Sequence, residues 1–138
     1  MTEETGPKHI LVVEDEDNIA IALDYLIRRE GYGQTRIATG AGAVELIREL
    51  RPDLVLLDVM LPEVSGYEIC QQVRQIPALA GVRILMMTAR GSAIERRKGL
   101  AMGADGFISK PFELKELRAE VRRILSEESA DAAAVVAP

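Results

Sequence analysis

The sequence is poor in cysteine, histidine and aromatic residues. It contains one cysteine, Cys70, one histidine, His9, and no tryptophan, with only three tyrosines and two phenylalanines. A single cysteine excludes a disulfide framework and a multi-cysteine zinc site. So few rings provide no stacking platforms for single-stranded nucleic acid. His9 stands at the start of the first apolar run, a position that does not favour a phosphohistidine role.

The sequence also lacks any long apolar run and any excess of basic residues. No run approaches the roughly 18–20 residues that span a bilayer, and the first five residues, Met-Thr-Glu-Glu-Thr, do not resemble a signal peptide. The 22 acidic and 17 basic side chains give a net charge of −5, which argues against direct binding of a nucleic-acid backbone. With 138 residues, 48% hydrophobic and 28% charged, the chain is expected to be one cytoplasmic domain.

Short apolar runs alternate with segments of helical periodicity. Five runs are predicted to be strands: 9–13, 32–38, 54–57, 82–87 and 107–109. Each is followed by a segment whose apolar residues recur at helical spacing, although the fourth such segment is poorly amphipathic. Five βα units predict a parallel sheet with helices on both faces. At this length the predicted fold is the flavodoxin-like, doubly wound (βα)5 α/β fold with strand order 2-1-3-4-5.

Two of the helical segments open on a serine followed three residues later by a glutamate. These are Ser65-Gly66-Tyr67-Glu68 and Ser92-Ala93-Ile94-Glu95. Both stretches fit a capping box and predict that the third and fourth helices begin there.

The two ends of the chain differ in composition from the middle. Residues 1–8 are expected to be a disordered lead, and residues 8–126 the folded domain. Residues 127–138 are rich in alanine and lack a helical face. We therefore expect a flexible tail or a stub of linker there.

Polar side chains directly follow four of the predicted strands. Glu14 and Asp15 follow the first, Asp58 the third, Thr88 the fourth and Lys110 the fifth. Parallel strands end at one edge of a sheet, so these groups should converge there. Clustered carboxylates call for a hard cation such as Mg²⁺, and a lysine with a hydroxyl suits phosphoryl oxygens. The pattern predicts phosphoryl chemistry in which a carboxylate is the nucleophile, but spacing does not say which carboxylate.

The same residues belong to a longer set of motifs. The set consists of Glu14-Asp15, Asp58 within Leu56-Leu57-Asp58-Val59-Met60-Leu61-Pro62, Gly66, Thr88-Ala89, Gly103-Ala104 and Lys110-Pro111-Phe112. In order and spacing, from about residue 8 to residue 125, the set resembles the CheY-like receiver domain of two-component response regulators. The resemblance implies a module that accepts a phosphoryl group and changes its partner-binding surface.

The resemblance also implies roles for individual residues. Asp58 would be the phosphoacceptor, served by a sensor histidine kinase or a histidine phosphotransfer protein. Mg²⁺ would be held by four residues: Glu14, Asp15, Asp58 and, through its carbonyl, Met60.

Two further residues would bind the phosphoryl oxygens, and two would form a switch. Thr88 and Lys110 take the first role. Thr88 and Phe107 take the second, with the ring turning inward when the threonine moves. The resemblance further implies a cis Lys110-Pro111 peptide bond.

Other functions compete with that of a receiver. Phosphatases that form an aspartyl phosphate carry a second acid two residues after the first, where this chain has Met60. A nucleotide or flavin binder would need a glycine-rich phosphate loop after the first strand, and none follows. No independent substrate turnover is expected. A receiver piece of a longer regulator, with a DNA-binding or cyclase output domain, remains an alternative.

The output surface is expected on the face formed by residues 93–122. The fourth helix is weakly held because its apolar residues are few. Five basic side chains are expected to meet an acidic downstream protein or a second copy of the chain: Arg96, Arg97, Lys98, Arg118 and Arg122. No nucleic acid or membrane is expected to bind this chain directly.

Overall fold

The computed structural model describes residues 7–89 and 92–136, with side chains to residue 126. Strands and helices alternate along it. In chain order they are β1 (His9–Val13), α1 (Asp17–Arg29), β2 (Gly33–Ile37), α2 (Ala43–Leu50), β3 (Leu54–Asp58), α3 (Gly66–Arg74), a 3-10 turn (Pro77–Leu79), β4 (Arg83–Thr88), α4 (Ala93–Ala101), β5 (Gly106–Ser109) and α5 (Leu114–Val136). None of the helices in these ranges is long and apolar enough to cross a membrane.

The five strands form one parallel sheet in the order β2-β1-β3-β4-β5, which confirms the predicted fold. Strands β1 and β3 lie inside the sheet, and their residues are almost all buried because helices cover both faces. Strand β2 is an edge, and every one of its residues is only partly buried. The more polar sequence of this strand reflects that position.

Alternate strand residues supply two hydrophobic cores. On one side of the sheet, Leu11 and Val13 of β1 pack in a cluster with the buried faces of α2 and α3. On the other side, Ile10 and Val12 pack with α1 and α5. The alternation fixes the register of β1, and it therefore fixes where the chain leaves the strand at residue 14.

Serine residues cap the two helices that follow β3 and β4. Ser65 accepts a hydrogen bond from the backbone N–H of Glu68, and Ser92 accepts one from that of Glu95, both at 3.2 Å. Both predicted capping boxes are thereby confirmed on the serine side. The weak amphipathicity of α4 is also borne out, since Gly99 is its only buried residue.

The ends of the chain depart from expectation on one point. Helix α5 continues to Val136, whereas the apolar pattern predicts a helix that ends near residue 125 and a flexible tail over 127–138. Residues 127–136 contain no glycine or proline and four alanines, so their intrinsic propensity supports helix even without an apolar face. Most of the expected lead, residues 1–6, and the last two residues lie outside the described ranges.

Candidate functional site

The candidate site lies where four strands end at one edge of the sheet. Glu14 directly follows β1, Asp58 is the last residue of β3, Thr88 is the last residue of β4, and Lys110 directly follows β5. All four strands are parallel and adjacent, so their ends share one rim. The structure thus brings together the polar residues that the sequence places after its apolar runs.

Three carboxylates form the acidic part of the site. One oxygen each from Glu14, Asp15 and Asp58 lies within 4.8 Å of the other two. Glu14 is fully buried, Asp58 is 3% exposed, and Asp15 is exposed. Carboxylates this close repel one another, and a set of oxygen donors on one open side fits a hard divalent cation such as Mg²⁺.

Lys110 is the counter-charge of the two buried acids. Its Nζ lies 2.9 Å from Oε1 of Glu14 and 3.3 Å from Oδ2 of Asp58. Burial and the nearby Glu14 raise the pKa of Asp58 to about 6, although Lys110 acts in the opposite direction. Burial by itself would lower the pKa of Lys110, but its hydrogen bonds and ion pairs with the two acids raise it overall.

Backbone groups hold the remaining carboxylate oxygens. The N–H of Met60 donates to Oδ1 of Asp58 at 3.1 Å, and the N–H of Glu16 donates to Oε2 of Glu14 at 3.0 Å. Gly66 allows the start of α3 to come close, because a Cβ there would lie 2.4 Å from the carbonyl oxygen of Asp58. The glycine of the motif is therefore required by close backbone packing beneath the site.

Thr88 lies at the rim of the sheet, whereas Phe107 lies further along the strands, away from the rim. Thr88 is 1% exposed at the rim, and its carbonyl accepts the N–H of Lys110 at 2.7 Å. Phe107 is 2% exposed and pairs in register with Met86, two residues below Thr88. The ring is already turned into the core, against Gly99 of α4. The Lys110-Pro111 peptide bond is cis, as the resemblance implies.

Comparison with known proteins identifies the family. Residues 10–122 match the response regulator receiver domain. The chain belongs to this family. Its residues 14–15, 58, 88 and 110 are the polar positions of the rim just described.

Similar receivers occur in longer regulators and as solved structures. The chain is 45% identical over 116 residues to the phosphate regulon transcriptional regulatory protein PhoB of Rhizobium meliloti (strain 1021), covering 84% of this chain and 51% of that one. It is 44% identical over 119 residues to the DNA-binding response regulator MtrA of Mycolicibacterium smegmatis, covering 86% and 51%. The chemotaxis protein CheY4 of Vibrio cholerae superposes with a TM-score of 0.79 at 28% identity, covering 86% and 98%. The chain spans about half the length of the curated relatives it matches.

The expected basic face of this receiver is divided between two sides of the domain. Arg122 binds Glu30 at the end of α1, with Nε 2.7 Å and Nη2 3.1 Å from the two carboxylate oxygens. Arg118 lines a groove with Arg29 of α1 and with Glu30, which follows this helix. The prediction that Arg118 and Arg122 join the α4 residues on one face is therefore wrong. The reason is that α5 packs on the α1 side of the sheet, and residues four apart share one helix face.

Two contacts around the site are not predicted from the sequence. Arg36 of β2 donates to the carbonyl oxygen of Glu14. Tyr67 of α3 donates a hydrogen bond to Glu95 of α4, and Nζ of Lys98 lies 4.4 Å from the centre of the tyrosine ring. Neither contact has a signal in the sequence, because each joins residues that are far apart along the chain and no motif links the two partners.

Proposed function

We infer that this receiver domain is a phosphorylation-switched signalling module in which Asp58 accepts a phosphoryl group. The donor is a sensor histidine kinase or a histidine phosphotransfer protein. The observation that carries the proposal is the position of Asp58, a carboxylate at the rim beside two other acids and a lysine ammonium. Residues 8–126, which contain the matching region 10–122, are proposed to be the whole of this domain, and its location is proposed to be the cytoplasm.

Asp58 is better placed to react than the other two acids. The carboxylate oxygens of Glu14 and of Asp58 all have partners, but Glu14 is fully buried and does not line the open cavity at the rim. That cavity, of about 350 Å³, is lined by Asp15, Glu16, Asp58, Met60, Ala89 and Lys110. Of the three acidic residues that line it, Asp58 alone has the Lys110 ammonium within ion-pair distance, so an incoming phosphoryl group there meets a positive charge.

The proposed reaction transfers the phosphoryl group from nitrogen to oxygen. A carboxylate oxygen of Asp58 attacks phosphorus, the O–P bond forms, and the P–N bond of the phosphohistidine breaks with its electron pair going to the imidazole. Mg²⁺ held by Glu14, Asp15, Asp58 and the carbonyl of Met60 would neutralise the charge on the phosphoryl oxygens.

Two groups of this chain complete the phosphoryl site. The Lys110 ammonium and the Thr88 hydroxyl are the proposed donors to the phosphoryl oxygens. Thr88 and Phe107 are the proposed switch. Through movements of these two side chains, phosphorylation of Asp58 changes the conformation of β5 and α4.

The test is labelling with a small phosphodonor and Mg²⁺, read by intact-protein mass spectrometry. Wild type is expected to gain one phosphoryl group per chain, and Asp58→Asn none, because an amide oxygen is a poor nucleophile. The matched control is Asp24→Asn, which removes a half-buried carboxylate on α1 that lies away from the rim and should be labelled like wild type. Labelling of Asp58→Asn at the wild-type rate would overturn the assignment.

A phosphatase built on the same chemistry is the alternative from another class. Met60 stands where such enzymes carry a second acid, and it meets Asp58 through its backbone N–H. We propose no independent turnover. Mixing the protein with an excess of phosphodonor separates the two functions, because a receiver consumes donor no faster than its own aspartyl phosphate hydrolyses, whereas an enzyme releases phosphate many times faster.

The proposed output is a change in the face formed by residues 93–122, with a downstream protein or a second copy of the chain as partner. Of the five basic residues predicted for this face, Arg96, Arg97 and Lys98 lie on α4. The proposal accommodates either a DNA-binding or a cyclase domain as the reader of the signal; the relative MtrA is named a DNA-binding response regulator. Backbone NMR shifts with and without beryllofluoride test the face. Changes confined to the Asp58 pocket would refute it.

A further inference from the structure

Arg36 connects the edge of the sheet to the loop that carries the acidic residues. Its side chain leaves β2 and reaches the segment between β1 and α1. Nε and Nη2 donate to the carbonyl oxygen of Glu14 at 3.0 and 2.8 Å. Nη1 donates to Oδ1 of Asp17, in the first turn of α1, at 2.9 Å. The guanidinium of Arg36 is therefore hydrogen-bonded to both ends of the 14–17 loop.

The carbonyl of Glu14 belongs to the peptide unit that enters Asp15. Because a peptide unit is planar, fixing its carbonyl oxygen also fixes the plane that leads to the next Cα. The side chain of Glu14 is held separately, by Lys110 and by the N–H of Glu16. Asp15, by contrast, is exposed at the loop surface. Its direction therefore depends on the backbone that Arg36 holds.

We propose that Arg36 is a positioning residue for the acidic site: it orients the Glu14–Asp15 peptide so that the Asp15 carboxylate faces the same cation as Glu14 and Asp58. The inference rests on the proposed function, since it assumes that Glu14, Asp15 and Asp58 bind Mg²⁺. A planar guanidinium suits this task because it reaches two acceptors at fixed angles. The single ammonium of a lysine would reach one of them.

The charge of Arg36 and its positioning role predict opposite changes in Mg²⁺ affinity when Arg36 is replaced. Arg36 is a positive charge close to a cation site, so Coulomb repulsion alone predicts that its loss strengthens cation binding. Loss of positioning predicts weaker binding, because Asp15 then samples orientations that do not serve the metal. The sign of the change in affinity therefore distinguishes the two.

The experiment is an NMR titration with Mg²⁺ that follows the backbone amides of residues 14–16 and 58–60. Arg36→Met is expected to raise the Kd for Mg²⁺ about tenfold, and Arg36→Lys about two- to threefold. The control is Arg28→Met, which removes the same charge from the exposed surface of α1 and should leave the Kd within about twofold of wild type.

The proposal is overturned if Arg36→Met binds Mg²⁺ as tightly as Arg28→Met, or more tightly. If circular dichroism shows that Arg36→Met is unfolded, Arg36→Lys replaces it, and an unchanged Kd then refutes the role. Failure of the proposed function looks different, because wild type itself would then show no saturable shifts with Mg²⁺.

Discussion

The ammonium group of Lys110 lies between two buried carboxylates, 2.9 Å from Glu14 and 3.3 Å from Asp58. The site is thus organised around a positive charge before any cation or phosphoryl group arrives. Because one lysine is shared by two carboxylates, it does not offset the effects of burial and of Glu14 on Asp58, whose pKa stays raised at about 6. The same charge is then available to a phosphoryl group on Asp58.

Removing that charge should destabilise the metal-free protein. Lys110→Met leaves two buried carboxylates facing each other without a cation, and we expect the free energy of unfolding at pH 7.5 to fall by about 2–4 kcal/mol. Millimolar Mg²⁺ should recover more stability in this variant than in wild type, because a cation replaces the lost charge. Urea unfolding with and without Mg²⁺ measures both effects. Lys115→Met, on the exposed surface of α5, is the control, and a Lys110→Met protein as stable as this control would contradict the prediction.

The raised pKa of Asp58 predicts that Asp58→Asn increases the free energy of unfolding by an amount that depends on pH. The folded protein holds this proton up to about pH 6, against about 3.8 for an unperturbed aspartate. Between these values the folded state binds more protons than the unfolded state, so the stability of wild type falls as pH rises. Without metal, Asp58→Asn should therefore be more stable than wild type above about pH 6, by about 1–3 kcal/mol, and the gain should vanish below pH 3.8.

Urea unfolding at about pH 3.5 and about pH 7.5, on either side of the two pKa values, tests this sign. Asp24→Asn is the matched control, since it removes a half-buried carboxylate from α1 that is paired with Arg28, and it should not become more stable at high pH. A loss of stability in Asp58→Asn at the higher pH would show that the pairing with Lys110 outweighs the cost of burial.

The sequence predicts most of the site because the fold is built from parallel strands. Once 9–13, 54–57, 82–87 and 107–109 are interpreted as strands, the residues after them must meet at one edge, and no side-chain detail is needed. Strand order and direction alone therefore place Glu14, Asp58, Thr88 and Lys110 together.

The contacts that the sequence does not predict depend on how helices and edge strands are rotated about their axes. The sequence predicts Arg122 beside α4, but the packing of α5 on the α1 side turns it toward Glu30. Arg36 lies in a polar edge strand whose side chains have no periodic signal. The extension of α5 to Val136 also lacks an apolar pattern, since alanine supports a helix without marking a buried face.

Gly99 is the point at which α4 touches the core, and substituting it should show how tightly that contact is packed. A Cβ at Gly99 would lie 2.9 Å from Cδ2 of Phe107 and 3.0 Å from Sδ of Met86. Although alanine favours helix by about 1 kcal/mol, we expect Gly99→Ala to lower the free energy of unfolding by about 1–2 kcal/mol, because α4 must move outward. The control is Gly81→Ala, which has open space around its Cβ. A Gly99→Ala protein more stable than wild type would contradict the expected clash.

The hydrogen bond between Tyr67 and Glu95 should restrain α4, which has one buried residue of its own. Burial and Glu95 raise the pKa of Tyr67 to about 12, so the phenol stays protonated and donates throughout the physiological range. Tyr67→Phe removes that donor and keeps the ring that Lys98 contacts. A lost hydrogen bond costs about 1 kcal/mol, so hydrogen exchange in α4 should become about fivefold faster while α1 is unchanged. Tyr25→Phe, at an exposed site on α1, is the control, and unchanged exchange in α4 of Tyr67→Phe would show that the bond does not hold this helix.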